Sequence, residues 1–389
     1  MALWLPELFK TKSTQGMSDK QQVDSPKLIE LRTKIDACDQ KIIRLIQERV
    51  LVAAQIAKAK LAVDANASFY RPEREAQVLR RVRERNSILR EELSGLVADD
   101  QMVGLMREIM SISLAAEMPM SVAYLGPEGT YTQAAVVKHF GQAVNSLDVK
   151  TIADVFRLVE QGKAHFGVVP VENSTEGVIT HTLDCFATSK LKVCGEVHLP
   201  INHQLLSHAD GLTAVKRVYA HPQAIAQCRN WIERYLPDAE VFSASSNAEA
   251  AVIASKDDAA AAIASDLAAK IYDIAILASG IEDERNNTTR FLIIGSDSYA
   301  ASGEDKTTIM VSAPNKVGSL FELLKPLYDV GVDMSRIESR PSRQTNWEYV
   351  FFIDLIGHVD DPKVATALAE LESKSVYFKL IGSYPVGVL

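Results

Sequence analysis

FGVVPVENSTEG, the stretch Phe166–Gly177, is an apolar run that ends in a cluster of polar residues. A short apolar run bounded by a glycine-containing turn predicts an interior β-strand. Glu172, Asn173, Ser174 and Thr175 follow it, at the strand end where open α/β sheets bind ligands. Asn173 or Ser174 could instead simply cap the next helix. The stretch therefore predicts an α/β sheet with a candidate site at one strand end.

The surrounding residues, 121–295, alternate short apolar runs with helical patterns, which is typical of an α/β sheet. Two further patches carry polar groups. YLGPEGTYTQ (Tyr124–Gln133) is a glycine-bearing turn between a strand and a helix, either an anion site or an ordinary tight loop. NNTTRFLIIG (Asn286–Gly295) brings two threonines and Arg290 into an apolar strand, which alone is also compatible with an ordinary strand start.

Together with AHPQAIAQC (Ala220–Cys228), these patches resemble prephenate dehydratases. The resemblance implies two α/β lobes like those of a type II periplasmic binding protein, with the site in the cleft. The chain would cross to the second lobe near Pro200–Gln204 and return near Leu277–Asn286. The implied reaction removes the ring hydroxyl and carbon dioxide from prephenate, which requires an acid for the leaving hydroxide.

The dehydratase resemblance also implies site residues. Thr289 has a catalytic role, and Glu172 is the obvious carboxyl in the matching motifs, although the identity of the acid stays open. Arg290 binds a carboxylate or is structural, and His221 is catalytic or structural. The expected substrate contacts are Asn173, Ser174, Thr175, Gln227 and Arg290.

Residues 26–117 instead predict helices, because apolar residues recur at steps of three and four from Leu28 to Ala59. Arg49 fills one position of this seam, where a charge is costly unless it is paired or functional. Arg32 and Lys60 would be separated by about 42 Å along one helix, so a small-ligand site that uses both requires an antiparallel second chain.

The segments ELRTKIDACDQKIIRLIQERV, AKAK, YRPEREA and REIMSISLAAE resemble the all-helical chorismate mutases, which are intertwined dimers of three-helix protomers. Their reaction is a pericyclic rearrangement of a dianion, which needs charge complementarity and positioning rather than a nucleophile. Glu117 would have to be protonated to donate to the ether oxygen, and Arg71 departs from the family pattern. The implied mutase residues are Arg32 (from the second protomer), Arg49, Lys60, Arg74, Glu75, Ser113 and Glu117.

The last part of the chain reads strand, helix, strand, strand, helix, strand, the ferredoxin-like order. It follows a predicted linker at residues 301–306. Its segments NKVGSLFELLKPL and RIESRPSR resemble the two phenylalanine-binding motifs of the ACT domains of prephenate dehydratases, which usually pair side by side. A helix-start glycine is the alternative reading of Gly318. The implied effector residues are Gly318, Ser319, Leu320, Glu338, Ser339, Arg340 and Pro341.

We therefore predict a multidomain chain: a disordered leader at 1–24, with translation starting at Met1 or Met17, an all-α mutase domain at 25–118, an α/β dehydratase domain at 119–300 and an α+β regulatory domain at 301–389. The formal charge of −8 argues against nucleic acid as a partner. The four cysteines show no ligand spacing, so no metal or cofactor is expected. No membrane span is expected. The predicted protein is a cytoplasmic homodimer or higher oligomer whose ligands are chorismate, prephenate and L-phenylalanine. A preference for arogenate and a non-catalytic sensor are the alternatives.

Overall fold

The structure is a computed structural model that describes residues 25–64, 69–314, 316–341 and 349–388. The predicted leader and its two candidate start codons lie outside these residues. The helical part contains α1 (Pro26–Val63), α2 (Pro72–Leu93) and α3 (Asp99–Glu117), and α2 begins with the proline that its first turn favours. The chain divides into two compact units within α1, between Leu51 and Val52.

The apolar seam that predicted α1 is exposed along much of that helix. Leu28, Ile35 and Leu45 in the first unit are 47%, 60% and 63% exposed, and Ile56 in the second unit is 50% exposed. A helix of this length with an exposed apolar stripe needs a packing partner to be stable in water.

The α/β part forms two lobes. Its strands are β1 (Ser121–Leu125), β2 (Asn145–Val149), β3 (Phe166–Asn173), β4 (Gly177–Val178), β5 (Lys192–Pro200), β6 (Gln204–Ser207), β7 (Arg217–Ala220), β8 (Glu240–Ser243), β9 (Ala260–Ala264), β10 (Ile276–Ser279) and β11 (Thr288–Gly295). Its helices are α4 (Tyr131–Phe140), α5 (Ile152–Glu160), α6 (Thr180–Thr188), α7 (Pro222–Gln227), α8 (Arg229–Tyr235), α9 (Asn247–Ala254) and α10 (Asp266–Ile271).

The first lobe is built on a sheet of order β2-β1-β3-β11-β5, with β4 paired to β3. The second lobe has the order β10-β6-β9-β7-β8. The chain leaves the first lobe after β5 and returns at β11, so the predicted crossings near Pro200–Gln204 and Leu277–Asn286 agree with the structure. Strand β11 lies antiparallel between β3 and β5, with Thr289 opposite Asn173 and Arg290 opposite Glu172.

The C-terminal domain contains β12 (Asp305–Ser312), α11 (Ser319–Val330), β13 (Met334–Pro341), β14 (Tyr349–Ile356), α12 (Pro362–Lys374) and β15 (Tyr377–Pro385). This is the predicted βαββαβ order, and the sheet order is β13-β14-β12-β15. Residues of α11 and α12 share a core with one face of this sheet, and Met310 and Phe352 on the other face share a core with Val169 and Leu292 of the first lobe.

The segment predicted as a linker, 301–306, is instead an ordered connection whose last two residues begin β12. Ser302 and Asp305 are buried, and the Asp305 carboxylate accepts hydrogen bonds from the backbone N–H groups of Ser302 and Gly303 at 2.8 and 3.0 Å. The guanidinium of Arg80 on α2 donates to the Ser302 carbonyl at 3.2 Å. The composition of this segment is that of a linker, but buried hydrogen bonds hold it in place.

Candidate active and effector sites

A cavity of about 430 Å³ opens between the two α/β lobes. The first lobe contributes Asn173, Glu176 and Thr289, and the second contributes His203 and Gln227, among others. The cavity thus lies at the carboxyl end of β3, where the sequence predicted a site, and polar residues from four separate segments meet there.

Asn173 fixes the central geometry of this cleft. Its Oδ1 accepts hydrogen bonds from the backbone N–H groups of Thr175 and Glu176, both at 3.0 Å. Its Nδ2 must therefore face the other way, where it donates to the Oγ1 of Thr289 and the Oδ1 of Asn287, both at 2.8 Å. Because the Thr289 oxygen accepts from Asn173, its own proton is oriented away from that amide and can be donated to a ligand.

A chain of side-chain amides continues from Asn287 across the cleft. The Oε1 of Gln227 accepts from Asn287 Nδ2 at 3.1 Å, and it lies 2.8 Å from the Nε2 of His203. Gln227 then directs its own Nε2 to a Glu176 carboxylate oxygen at 3.1 Å. Since Gln227 Oε1 can only accept, His203 carries its proton on Nε2, and burial lowers the pKa of this imidazole. Glu176 and Gln227 thereby link the two lobes.

Ser174 and Thr175 lie beside the cavity without lining it. The Ser174 hydroxyl accepts from the Thr288 N–H at 2.9 Å and donates to the Asn286 carbonyl at 3.3 Å. These bonds hold the loop after β3 against the start of β11. Their predicted role as substrate contacts stays a prediction, whereas a structural role for Ser174 is visible in its bonds.

Glu172 is not among the described residues that line the cleft cavity, and its assignment as the acid stays a prediction. Successive side chains of a strand point to opposite faces, and Asn173 occupies the cleft face. The Glu172 carboxylate instead forms an ion pair with Arg336 on β13, with 2.8 Å between Oε2 and Nε. This carboxylate therefore contacts the C-terminal domain.

Arg290 is displaced from the cleft for the same reason, because its neighbour Thr289 occupies that face of β11. Its guanidinium donates to Glu196 at 2.9 Å, to Asp354 at 2.5 Å and to the hydroxyl of Tyr384 at 2.9 Å. Burial alone would raise the pKa of Glu196, but His198, Arg290 and Lys306 outweigh it and hold that pKa well below its usual range. These bonds favour the structural alternative for Arg290, and its assignment to substrate binding stays a prediction.

Several polar residues that line the cleft had no role predicted from the sequence, among them Glu176, His203 and Asn287. Glu176 lies in the stretch Phe166–Gly177 and Asn287 in the stretch Asn286–Gly295, both of which predicted site residues. Their closeness in sequence to Asn173 and Thr289 could have indicated them. His203 lies in the crossing between lobes, where no motif marks it. His221 caps α7 through its ring and also lines the cavity, so the structure leaves both of its predicted roles open.

The predicted mutase residues are distributed over several places. Glu117 at the end of α3 lines a cavity of about 550 Å³ together with Leu61 and Phe69, and also with His165 of the first lobe. The ammonium group of Lys60 lies 5.7 Å from the centre of the Phe69 ring, which places it in the same region. The Ser113 hydroxyl is buried and donates to the Ile109 carbonyl at 2.7 Å.

Glu75 is separated from Glu117. It lies in a second cavity of about 30 Å³ beside Arg107, with 3.8 Å between the charged atoms. Burial raises the pKa of Glu75, and Arg107 opposes that shift. Arg74 is exposed on α2, and Arg32 is exposed and Arg49 partly exposed in the first unit. Glu75 and Glu117, which both belong to the second unit, therefore line different cavities.

The predicted effector residues occupy the edge of the C-terminal domain. Gly318 precedes α11 with a φ of +82°, a conformation that L-residues rarely adopt. The motif Glu338–Pro341 lies on β13, an edge strand of the described sheet. Arg336, Glu338 and Arg340 alternate on its partly buried side, whereas Ile337 and Ser339 lie on the exposed side. The two faces of this motif therefore have different environments.

Within the described ranges, no three or more His, Cys, Asp or Glu side chains are grouped so that they could hold a metal ion. No helix in the described part of the chain is long and apolar enough to cross a membrane.

Three family models match successive parts of the chain: chorismate mutase type II at residues 31–118, prephenate dehydratase at 122–299 and the ACT domain at 307–373. A bifunctional chorismate mutase/prephenate dehydratase of Stutzerimonas stutzeri is 47% identical over 94% of this chain and 100% of its own length. One of Neisseria gonorrhoeae is 47% identical over 93% of this chain and 98% of its own. A solved prephenate dehydratase of Arthrobacter aurescens, in complex with L-Phe, is 37% identical with a TM-score of 0.64, covering 68% of this chain and 90% of its own.

Proposed function

The chain belongs to the family of bifunctional chorismate mutase/prephenate dehydratases, and we propose that it converts chorismate to prephenate and prephenate to phenylpyruvate under feedback inhibition by phenylalanine. Family membership follows from 47% identity over 94% of the chain and from the three matching models in the same order. Each matched segment has the fold expected for its model: helical, two-lobed α/β and ferredoxin-like.

The bond between Asn173 and Thr289 in the cleft carries the dehydratase proposal. Prephenate loses its ring hydroxyl and a carboxylate as carbon dioxide, and the electrons of the broken carbon–carbon bond complete the aromatic ring. The enzyme must protonate the leaving hydroxyl and hold the substrate. In this proposal the Thr289 hydroxyl, which accepts from Asn173 Nδ2 at 2.8 Å, donates its own proton in a hydrogen bond to that leaving oxygen.

A threonine hydroxyl is too weak an acid near neutral pH to supply the proton by itself, so a carboxyl group is needed in the cleft. Glu172 faces the C-terminal domain. Glu176 is the carboxyl among the described residues that line the cavity. We therefore assign the proton donor to Glu176, with Thr289 and Asn173 holding the leaving group.

The described residues that line the cleft include no lysine or arginine, although prephenate carries two carboxylates. N–H donors have to take the place of cations. The first turn of α4, at Tyr131 and Thr132, lines the cavity, and a helix N-terminus favours anions. The Gln227 amide, whose Nε2 gives one of its two protons to Glu176, can add a donor from the other lobe.

The mutase reaction requires two copies of the chain in this proposal. The apolar stripe on α1 is exposed, and an antiparallel second α1 would cover it. That pairing would bring Arg32 of one copy to Arg49 and Lys60 of the other, supplying cations for the two carboxylates of chorismate. Glu117 would then donate to the ether oxygen from the cavity that it lines.

Phenylalanine binding is assigned to the edge of the C-terminal domain. Gly318 lets the backbone approach the ligand closely, and the exposed side chains of Leu320, Phe321 and Ile337 supply an apolar surface. Since β13 is an edge strand, side-by-side pairing of two copies would cover it. A relative of known structure is described as a complex with L-Phe, which supports this ligand. We keep the domain limits of 25–118, 119–300 and 301–389 and a cytoplasmic location as parts of the proposal.

Purified protein supplied with chorismate tests the whole proposal. Prephenate should appear and then decline as phenylpyruvate accumulates, and phenylalanine should slow the second step. Parallel reactions with prephenate and arogenate would show which substrate the α/β cleft prefers. In Glu176→Gln, phenylpyruvate formation should fall by about 10²–10⁴-fold, the usual contribution of a general acid. A folded Glu176→Gln enzyme with normal turnover would remove this residue from the chemistry.

A further inference from the structure

Two ion pairs connect β13 of the C-terminal domain to the dehydratase lobe. Arg336 Nε lies 2.8 Å from a Glu172 carboxylate oxygen, and Arg340 Nη2 lies 2.9 Å from Oδ1 of Asp184. The arginine side chains are only 11% and 19% exposed, so solvent screens these pairs less than it screens surface pairs.

The two carboxylates flank the loop that carries the cleft residues. Glu172 lies at the end of β3, immediately before Asn173, and Asp184 lies on α6, just after the loop. Between them the chain places Asn173 and Glu176 in the cavity. A displacement of either carboxylate would therefore move one end of this loop. A displacement of Glu172 would be passed to Asn173 through the single peptide bond between them.

The other ends of these pairs belong to the strand that carries the predicted effector motif. Arg336, Glu338 and Arg340 share one side of β13, and Arg340 is itself part of the motif. Each of the two arginines also keeps one buried guanidinium nitrogen for which the described residues provide no acceptor. Each guanidinium thus has an unused hydrogen-bond donor, and a shift of β13 could change which acceptor the guanidinium binds.

We propose that these two pairs, named here the β13 clamps, transmit phenylalanine binding to the dehydratase cleft. Phenylalanine at the motif changes the position of β13, the clamps move Glu172 and Asp184, and Asn173 loses its alignment with Thr289. Arg336 and Asp184 are in this sense positioning residues that act through Asn173. The inference rests on the proposed function, since it concerns the phenylalanine control of that same site.

The test uses the full-length chain with Arg336→Gln, Asp184→Asn and the double variant. Lys192→Gln is the matched control, because Lys192 donates to the Leu380 carbonyl across the same domain boundary without touching β13. For each protein, kcat and KM for prephenate are measured over a series of phenylalanine concentrations. Phenylalanine binding is measured separately by calorimetry, with and without prephenate.

The wild type and Lys192→Gln should be inhibited alike. Both clamp variants should still bind phenylalanine and turn over prephenate, but they should need about 5–150-fold more phenylalanine for half-inhibition, the range of typical coupling energies. By reciprocity, prephenate should also lose its effect on phenylalanine affinity in the variants. Clamp variants inhibited like the wild type would overturn the proposal.

A hundredfold loss of turnover without phenylalanine in folded Arg336→Gln would also overturn it, because the pair would then serve catalysis itself. Failure of the wild type to bind phenylalanine, or to be inhibited by it, would instead refute the proposed feedback function. The two failures are therefore distinguishable from the same set of measurements.

Discussion

Replacement of Arg290 by methionine separates its structural role from the substrate-binding role that the sequence suggested. In the structure its guanidinium lies between two carboxylates whose side chains are 0% and 2% exposed, those of Glu196 and Asp354. Removing one partner from a buried ion pair typically costs about 3–5 kcal/mol. Glu196 keeps Lys306 at 2.9 Å and Asp354 keeps Thr308 at 2.6 Å, so the cost should lie near the lower limit, about 3 kcal/mol.

Thermal unfolding and steady-state kinetics provide the measurement. A loss of about 3 kcal/mol should lower the melting temperature by about 6–12 °C for a domain of this size. Assayed well below that temperature, Arg290→Met should keep its KM for prephenate within about threefold of the wild type. Arg290→Lys keeps the charge with fewer donors and should lie between the two in stability.

A guanidinium that binds a substrate carboxylate would behave differently. Losing a charged hydrogen bond worth about 1.5–3 kcal/mol would raise KM by roughly 10–150-fold. The reasoning is refuted if Arg290→Met melts like the wild type while KM rises by that amount. The substrate-binding assignment would then stand, and Arg290 would have to reach the cleft in the substrate complex.

Lys60→Ala should abolish chorismate conversion and leave prephenate turnover near normal, and Thr289→Ala should do the reverse. Each reaction is assayed separately, and loss of both activities in a folded variant would contradict two independent sites. Glu117→Gln should retain mutase activity and flatten its decline with rising pH, which a pH profile would reveal. Gly318→Val should abolish phenylalanine inhibition without loss of turnover, because valine disfavours a φ of +82°. The pKa of Glu196 is lower in the folded chain than in the unfolded chain, so its stabilising contribution is complete above the unfolded pKa of about 4.5 and is lost as pH falls below that value. Denaturant unfolding between pH 7 and pH 3 measures this loss of stability. Glu196→Gln should lose less stability over the same range.

Truncation after Ser302 is a less suitable test of phenylalanine sensing than substitution of Gly318. The C-terminal sheet contributes Met310 and Phe352 to the core of the first lobe, and Asp354 pairs with Arg290. Removing the domain would uncover apolar surface and leave a buried charge without its partner. We expect the truncated chain to be unstable, which would confound loss of regulation with loss of fold.

Much of the architecture was predictable because the hydrophobic period changes along the chain. Steps of three and four predicted the helices of the first part, and short apolar runs predicted β1, β3, β5, β7, β9 and β11. The strands β2, β4, β6, β8 and β10 were missed. These strands are two to five residues long, and β8 is exposed throughout, so its sequence lacks the apolar run that marks a buried strand.

The site was predictable as a set of motifs, but not as a set of facing side chains. Two adjacent residues of a strand cannot both face the cleft. The sequence could therefore have excluded Glu172 together with Asn173, and Arg290 together with Thr289, as joint cleft residues. It could not say which member of each pair faces the ligand, because the partners that decide this, Arg336 and Asp354, come from a later domain.

That alternation connects the C-terminal domain to the residues behind the cleft. Asn173 is opposite Thr289 in the ladder, and Glu172 is opposite Arg290. The first pair meets in the cleft, and the second pair is bound to the C-terminal domain through β13 and β14. Glu172 and Arg290 are each joined by one peptide bond to a neighbour that faces the cleft. In the proposed coupling, a small shift of the sheet behind the strands would change the Asn173–Thr289 contact, and a hydrogen bond of 2.8 Å weakens with either distance or angle.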